Sequence, residues 1–124
     1  MIVVDTSVLI DVLRGTPAAL DALRNSRRAG PLHASEVTRL EVLAGMRPRE
    51  ETATRTLLAT LTWHPVDEQI AEAAGSLGRE WLPAYRNIDS ADLAIAATAI
   101  VLHTVPLTKN VKHFPMFPGL AAPY

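Results

Sequence analysis

Short apolar segments alternate with helical segments along this chain, and that alternation limits its fold more than any other feature. Residues 2–4 (IVV) are β-branched and end at Asp5, whereas from Val8 onward the apolar residues recur at helical spacing until Gly15. Further strands are predicted at residues 32–34, 63–66 and 104–107, and further helices at 18–28, 35–45, 50–61, after Asp67 and at 93–102. Strands that alternate with helices predict an α/β fold with a central parallel sheet covered on both faces.

Two of these segments have sequences that also predict their place in the fold. Residues 63–66 include Pro65, which has no N–H to donate to a central strand pairing, so we expect an edge strand there. The helix over residues 93–102 is apolar nearly all round and is interrupted only by Thr98, which predicts a central helix. It is far too short to span a bilayer, so we expect no membrane association.

The length and composition predict one globular domain over residues 1–124. The chain is 48% hydrophobic and 20% charged, which is typical of a folded soluble protein of this size. The absence of cysteine excludes a disulfide framework, a thiolate zinc site and a cysteine nucleophile. Because the first residues do not form a secretory signal, we expect a cytoplasmic protein.

The overall charge does not by itself indicate a nucleic-acid-binding protein. The net charge is -1 and the sequence pI is about 6.4. Most arginines lie in the first half of the chain, where they are mixed with acids. A solvated surface of ion pairs is therefore favoured over a surface that contacts a nucleic-acid backbone.

Polar residues follow two of the predicted strands directly. Asp5 comes after residues 2–4, and Thr108 to Asn110 come after residues 104–107. In parallel α/β sheets, ligands bind outside the carboxyl ends of the strands. Asp5 is equally well placed to cap the following helix, so both interpretations stay open.

Glu41 and Asp92 have similar alternatives. Thr38 and Glu41 have the spacing of a capping box, although Ser35 competes as the cap of the same helix. Asp92 lies three residues after Asp89, and both acids suit the start of a helix. Helix capping does not explain why these acids and Asp5 accumulate near the strand ends of one small domain.

The electrostatic repulsion among these carboxylates must be offset for the domain to stay folded. Two carboxylates about 5 Å apart repel by roughly 3 kcal/mol at an effective dielectric near 20, and a domain of this size is stable by only about 5–15 kcal/mol. Protonation or a bound cation supplies the compensation. An oxygen-rich site without cysteine favours a hard ion, Mg²⁺ or Mn²⁺.

Four segments, in order, resemble the motifs of PIN-domain nucleases. They are residues 5–11 (DTSVLID), 38–45 (TRLEVLAG), 92–99 (DLAIAATA) and 108–114 (TKNVKHF). The order and spacing match over essentially the whole chain, and the short length is similar to that of the VapC-like toxins of bacterial toxin–antitoxin pairs. The resemblance implies a three-layer α/β/α sandwich, a metal-dependent endoribonuclease, a cognate antitoxin and a homodimer.

The resemblance places the metal-binding acids at Asp5, Glu41 and Asp92. Asn110 stands where the family often has a fourth acid, so a single ion is expected, with Asp89 as a candidate for the missing charge. We expect the metal to activate a water that hydrolyses an RNA phosphodiester. Thr6 and Thr108 are expected to hydrogen-bond metal waters or the phosphate, and Asn110 to orient a water.

The roles of the remaining candidate residues are predicted from their neighbours in the sequence. His113 is followed by Phe114 and is interpreted as a structural histidine, while Arg86 and Lys112 are candidate phosphate contacts because they flank the acidic motifs. A phospho-acceptor domain of the receiver or haloacid-dehalogenase type is an alternative, but the acidic pair and the Asp-x-Asp pattern that these need are missing. A catalytically inactive module that binds a partner protein is the other alternative, favoured by Asn110.

Overall fold

The computed structural model describes all residues from 1 to 124 and has a four-stranded parallel sheet with the strand order β3-β2-β1-β4. The strands are β1 (Ile2–Val4), β2 (Leu32–Ser35), β3 (Thr62–His64) and β4 (Pro106–Leu107). The helices are α1 (Thr6–Leu13), α2 (Pro17–Ala29), α3 (Glu36–Ala44), α4 (Glu51–Leu58), α5 (Glu68–Trp81) and α6 (Ser90–Val101). Two 3₁₀ turns, Pro48–Glu50 and Val111–His113, complete the regular structure. The predicted parallel sheet is confirmed.

The first strand lies at the centre of the sheet, where its β-branched residues are fully enclosed. Val3 and Val4 are both 0% exposed, and β1 pairs with β2 on one side and β4 on the other. Asp5 therefore lies at the carboxyl end of an inner strand. The edge strand predicted at residues 63–66 is confirmed as β3, which pairs only with β2, but it ends at His64, before Pro65.

Successive residues of β1 point to opposite faces, and each face has its own core. Val4 packs with residues of α1, α2, α3 and α4, including Leu9, Leu23 and Leu58. Val3 packs on the other face with Ile95, Ala96 and Ala99 of α6 and with Phe114. Helices therefore cover both faces, which confirms the α/β/α sandwich.

Helix α6 is the most enclosed helix of the fold, as its apolar sequence predicts. Every residue from 92 to 99 is buried, and the helix packs on β1, β2, β4, α3 and α5. This burial places the first turn of α6 firmly against the sheet. None of the helices has the length and apolar character needed to cross a membrane.

The differences from the predicted boundaries are short and have local causes. The helix predicted at residues 50–61 ends at Leu58, because a turn with a Leu61 N–H to Leu58 carbonyl bond leads the chain into β3. Leu61 is still buried, but from that turn. The strand predicted at residues 104–107 is regular only at Pro106–Leu107, although Val105 still accepts a hydrogen bond from Val3.

Candidate active site

Asp5 directs its carboxylate into a hydrogen-bond network and not onto the helix that follows. It occupies the N-cap position of α1 with extended backbone angles, but its side chain makes no capping hydrogen bond. Its Oδ2 accepts from Ser7 Oγ at 2.7 Å and from Thr108 Oγ1 at 2.8 Å. Side-chain capping by Asp5 is therefore wrong, and the carboxylate, on a residue only 3% exposed, is oriented by two hydroxyls.

Glu41 does not cap a helix either. Ser35 caps α3 by accepting from the Val37 N–H at 3.2 Å, so the capping box of Thr38 and Glu41 does not form. Glu41 lies one turn inside the helix, where its Oε1 accepts from Thr6 Oγ1 at 2.7 Å. Thr38 is buried and places its hydroxyl 3.0 Å from that of Thr6.

For Asp89 and Asp92, the capping interpretation is confirmed. Asp89 Oδ1 accepts from the Asp92 N–H at 2.8 Å, and Asp92 Oδ2 accepts from the Asp89 N–H at 3.1 Å. The two bonds hold both carboxylates at the first turn of α6. Asp92 Oδ2 also lies 3.1 Å from His113 Nδ1.

The electrostatic setting of Asp92 disfavours its charged form. Burial raises the pKa of Asp92 to about 6, and the hydrogen bond from the Asp89 backbone opposes that rise. This pKa already includes the negative charges of Asp89 and Asp5, which also raise it, and the effect of His113, which lowers it. A carboxyl group in this position gains from a cation that replaces its proton.

The segment after β4 is attached to the same network. Thr108 is 1% exposed and, besides donating to Asp5, accepts from the Asn110 N–H at 2.9 Å. The Lys109 N–H lies 3.4 Å from Ser7 Oγ. Residues 108–110 are therefore fixed relative to Asp5, and Asn110 is exposed at the surface of the site.

These side chains surround one open cleft of about 360 Å³ at the carboxyl ends of β1 and β4. Its lining contains a single hydrophobic residue. The lining residues are Asp5, Thr6, Ser7, Ile10, Asp11, Arg14, Glu41, Asp89, Asp92, Lys109, Asn110 and His113. All the residues predicted for the metal site and its hydrogen-bonding partners thus line the cleft, except Thr108, which is buried and contacts Asp5.

The oxygen ligands of this cleft are better suited to a hard cation that keeps several waters than to a metal ion enclosed entirely by protein ligands. No three acidic or histidine side chains form a group that holds a metal ion as they stand. Mg²⁺ usually keeps several waters and binds through one or two protein carboxylates, so an open cleft lined by carboxylate, hydroxyl and amide oxygens fits it. The donor chemistry therefore fits Mg²⁺ or Mn²⁺.

Several lining residues were missed or misassigned by sequence reasoning. His113, interpreted from its neighbours as a structural histidine, lines the cleft, and its Nδ1 lies 3.1 Å from Asp92 Oδ2. Asp11 and Arg14 were missed, although they follow Ser7 at spacings of four and seven residues and so share its face of α1. Lys109 lies inside the fourth motif, residues 108–114, but no role was predicted for it.

The two predicted phosphate contacts lie elsewhere. Arg86 lines a different groove, between α5 and α6, together with Arg79 and Leu93. Lys112 is exposed in the 3₁₀ turn and does not line the cleft. Flanking position in the sequence was a poor guide to them because side-chain direction in a loop is not set by a regular period.

Comparison with known families identifies the fold. The family model described as the PIN domain matches residues 2–114, a span that contains Asp5, Glu41, Asp92 and His113. The chain belongs to the PIN-domain family.

Two curated relatives from Mycobacterium tuberculosis strain H37Rv are similar to this chain over its whole length. Ribonuclease VapC19 is 44% identical over 125 aligned residues, with 100% of each chain covered. Ribonuclease VapC10 is 43% identical over 124 residues, which cover 100% of this chain and 93% of that protein.

A solved structure described as a toxin–antitoxin complex from Klebsiella pneumoniae contains a chain with the same fold. It superposes with a TM-score of 0.82 at 31% identity and covers 100% of this chain and 98% of its own. The similarity therefore includes the sheet, both helical layers and the segment after the last strand.

Proposed function

We propose that this PIN-domain protein is a divalent-metal-dependent endoribonuclease that acts as the toxin of a toxin–antitoxin pair. The observation that carries the proposal is the convergence of Asp5, Glu41 and Asp92, from three separate elements, on one polar cleft. The full-length similarity to two proteins named ribonucleases supports RNA as the substrate.

In this proposal, Asp5, Glu41 and Asp92 hold a hydrated Mg²⁺ or Mn²⁺, directly or through its bound waters. A bound ion supplies positive charge to the scissile phosphate and lowers the pKa of the attacking water. Because Asn110 brings no charge where relatives often have an acid, one ion is proposed and not two. Asp89 contributes negative charge at the edge of the same cleft.

The hydroxyl groups orient the proposed ligands. Ser7 and Thr108 both donate to Oδ2 of Asp5, which fixes the rotation of the carboxylate. Thr6 does the same for Glu41. Partners that orient a metal-binding group typically change activity by about 10–100-fold when they are removed.

The exposed Asn110 is proposed to position a water or a phosphate oxygen at the mouth of the cleft. The backbone N–H of Asn110 donates to the Thr108 hydroxyl, and this bond fixes the position from which the side-chain amide extends. The amide provides both a carbonyl acceptor and an N–H donor.

The proposed protein partner is a cognate antitoxin. The similar structure from Klebsiella pneumoniae is described as a toxin–antitoxin complex, which supports this partner. The homodimer implied by the family resemblance stays a prediction. The phospho-acceptor alternative has no support from the family match, because residues 2–114 are covered by the PIN model.

The test is RNA cleavage by the purified protein with Mg²⁺, with Mn²⁺ and with EDTA. We expect cleavage only with a divalent metal, and a loss of about 100-fold or more in Asp5→Asn, Glu41→Gln and Asp92→Asn, since several kcal/mol of charge stabilisation correspond to that factor. Asp21→Asn is the matched control, because Asp21 is exposed on α2 and does not line the cleft.

Unchanged cleavage in Asp5→Asn contradicts the proposed mechanism. Metal binding without any cleavage by the wild-type protein favours the inactive module, for which the Asn110 position provides a reason.

A further inference from the structure

Asp11 joins three parts of the chain that are distant in sequence. Its Oδ2 accepts from the Tyr124 hydroxyl at 2.7 Å and lies 2.7 Å from the Lys109 ammonium. Asp11 is on α1, Lys109 follows β4 and Tyr124 packs beside the core on the α1 face. One carboxylate oxygen therefore holds both a cation and a phenol at the edge of the acidic cleft.

Lys109 is fixed at both of its ends. Its backbone N–H lies 3.4 Å from Ser7 Oγ, and the hydroxyl of the preceding Thr108 donates to Asp5. Its ammonium is held by Asp11. The side chain is thus stretched along the wall of the cleft between two anchored points.

This ion pair is poorly suited to stabilising the fold. The Lys109 side chain is 45% exposed, and exposed ion pairs contribute little to folding stability. An ammonium group has three N–H donors, and Asp11 Oδ2 is one acceptor, so donors are left for a ligand.

The charged side chains that line the cleft indicate the chemistry of this ligand. An RNA phosphate that enters meets the carboxylates of Asp5, Glu41, Asp89 and Asp92, so its approach needs positive charge beyond a bound metal. The basic side chains that line the cleft are Arg14, Lys109 and His113, and His113 is already beside Asp92. Lys109 combines exposure, a fixed position and a full positive charge.

We propose that Lys109 binds a phosphate of the RNA substrate in the acidic cleft, and that Asp11 and Tyr124 are positioning residues that hold its ammonium there. The inference rests on the proposed ribonuclease function and extends it to a second contact with the RNA backbone. Because Tyr124 also packs against the core, Tyr124→Phe keeps the ring and removes only the hydroxyl that contacts Asp11.

Binding is measured without cleavage. The probe is a fluorescein-labelled single-stranded RNA of about 12 nucleotides in EDTA, titrated by fluorescence anisotropy at several salt concentrations, with its integrity checked on a gel. Lys109→Ala is expected to weaken binding by about 5–20-fold and to reduce the salt slope by about 0.7, the value for one phosphate contact on a single strand. Lys109→Arg is expected to retain most of the binding.

Lys112→Ala is the matched control. Lys112 is an exposed lysine three residues further along the same segment, but it lies outside the cleft. An equal effect of Lys112→Ala, or an unchanged salt slope in Lys109→Ala, overturns the proposal.

A double-mutant cycle tests the positioning role. Tyr124→Phe alone is expected to weaken RNA binding by about 2–5-fold and to raise KM without lowering kcat, whereas in a Lys109→Ala background it changes nothing further. If the Tyr124 hydroxyl had only a structural role, its removal would lower the melting temperature and would have the same effect on binding in both backgrounds. Additive effects on binding therefore contradict the positioning role.

The two proposals fail separately. If the protein binds RNA through Lys109 but never cleaves it, the ribonuclease mechanism fails and the phosphate contact stands. If cleavage requires Asp5 while Lys109→Ala changes neither KM nor binding, the phosphate contact fails and the ribonuclease mechanism stands.

Discussion

Asp92 Oδ2 and His113 Nδ1 lie 3.1 Å apart, which joins the first turn of α6 to the 3₁₀ turn after β4. Asp92 also lies in the field of Asp89 and Asp5. In the protein without metal, the imidazole of His113 is thus the basic group in direct contact with a carboxyl that burial drives toward its neutral form.

The stability of the metal-free protein is predicted to depend on Asp92. Burial raises the pKa of Asp92 from 3.8 to about 6, so the folded state holds this proton more tightly than the unfolded state does. The stabilising contribution is complete below pH 4 and is lost as the pH rises through about 6. Urea unfolding in EDTA is expected to show this fall, and Asp92→Asn to remove it; an identical pH profile in the variant contradicts the assignment.

Thr108→Val is predicted to affect both stability and activity. The variant removes a hydroxyl that donates to the buried Asp5 carboxylate, and a hydrogen bond to a charged group is worth about 1.5–3 kcal/mol. We expect a loss of that size in the free energy of unfolding and about 10–100-fold slower RNA cleavage.

Thr98→Val is the control for this prediction. Thr98 is equally buried, at 1% exposed, but donates to the Ala94 carbonyl within α6 and not to a carboxylate. Because Thr98 does not line the acidic cleft, its substitution is expected to cost about 0.5–1.5 kcal/mol and to leave cleavage unchanged. Similar cleavage rates in the two variants would remove the case for Thr108 as the residue that orients Asp5.

Asn110→Asp tests the effect of the missing acid. The substitution adds a negative charge to a cleft that already contains four predicted acidic site residues. We expect tighter Mn²⁺ binding in calorimetry and a lower melting temperature in EDTA, because the added repulsion is relieved only by the metal. A variant that binds Mn²⁺ no more tightly than wild type shows that position 110 does not face the ion.

Tyr124→Phe is predicted to change the titration of Asp11. The hydrogen bonds from Lys109 and then Tyr124 hold the pKa of Asp11 below its ordinary value of 3.8. Removing the phenol hydroxyl should therefore raise the pKa, and Lys109→Ala should raise it more. NMR titration of the side-chain carboxyl carbons measures both shifts; Tyr85→Phe, an exposed tyrosine outside this contact, should leave Asp11 unchanged.

The parts of the site that were predictable from sequence follow from local rules. Asp5 comes directly after a β-branched strand, and Asp92 opens an apolar helix, so period and position alone placed both at the end of a parallel sheet. Each acid taken singly had an equally good capping role. Capping was wrong for Asp5 and Glu41, which bind hydroxyls from other elements, and correct for Asp89 and Asp92.

The parts that were not predictable depend on contacts between distant residues. Tyr124 and Asp11 are 113 positions apart, and no periodic pattern links them. His113 reaches Asp92 because Phe114, its neighbour, is buried beside α6 in the core on that face. The apolar neighbour that suggested a structural histidine is thus the residue that anchors His113 near the site.

The central claim is that Asp5, Glu41 and Asp92 together hold one divalent ion, and Mn²⁺ binding measured by calorimetry tests it most directly. The wild-type protein is predicted to bind one Mn²⁺ per chain, with affinity lowered at least about tenfold in each of Asp5→Asn, Glu41→Gln and Asp92→Asn and unchanged in Asp21→Asn. Wild-type affinity in the triple variant would contradict the claim.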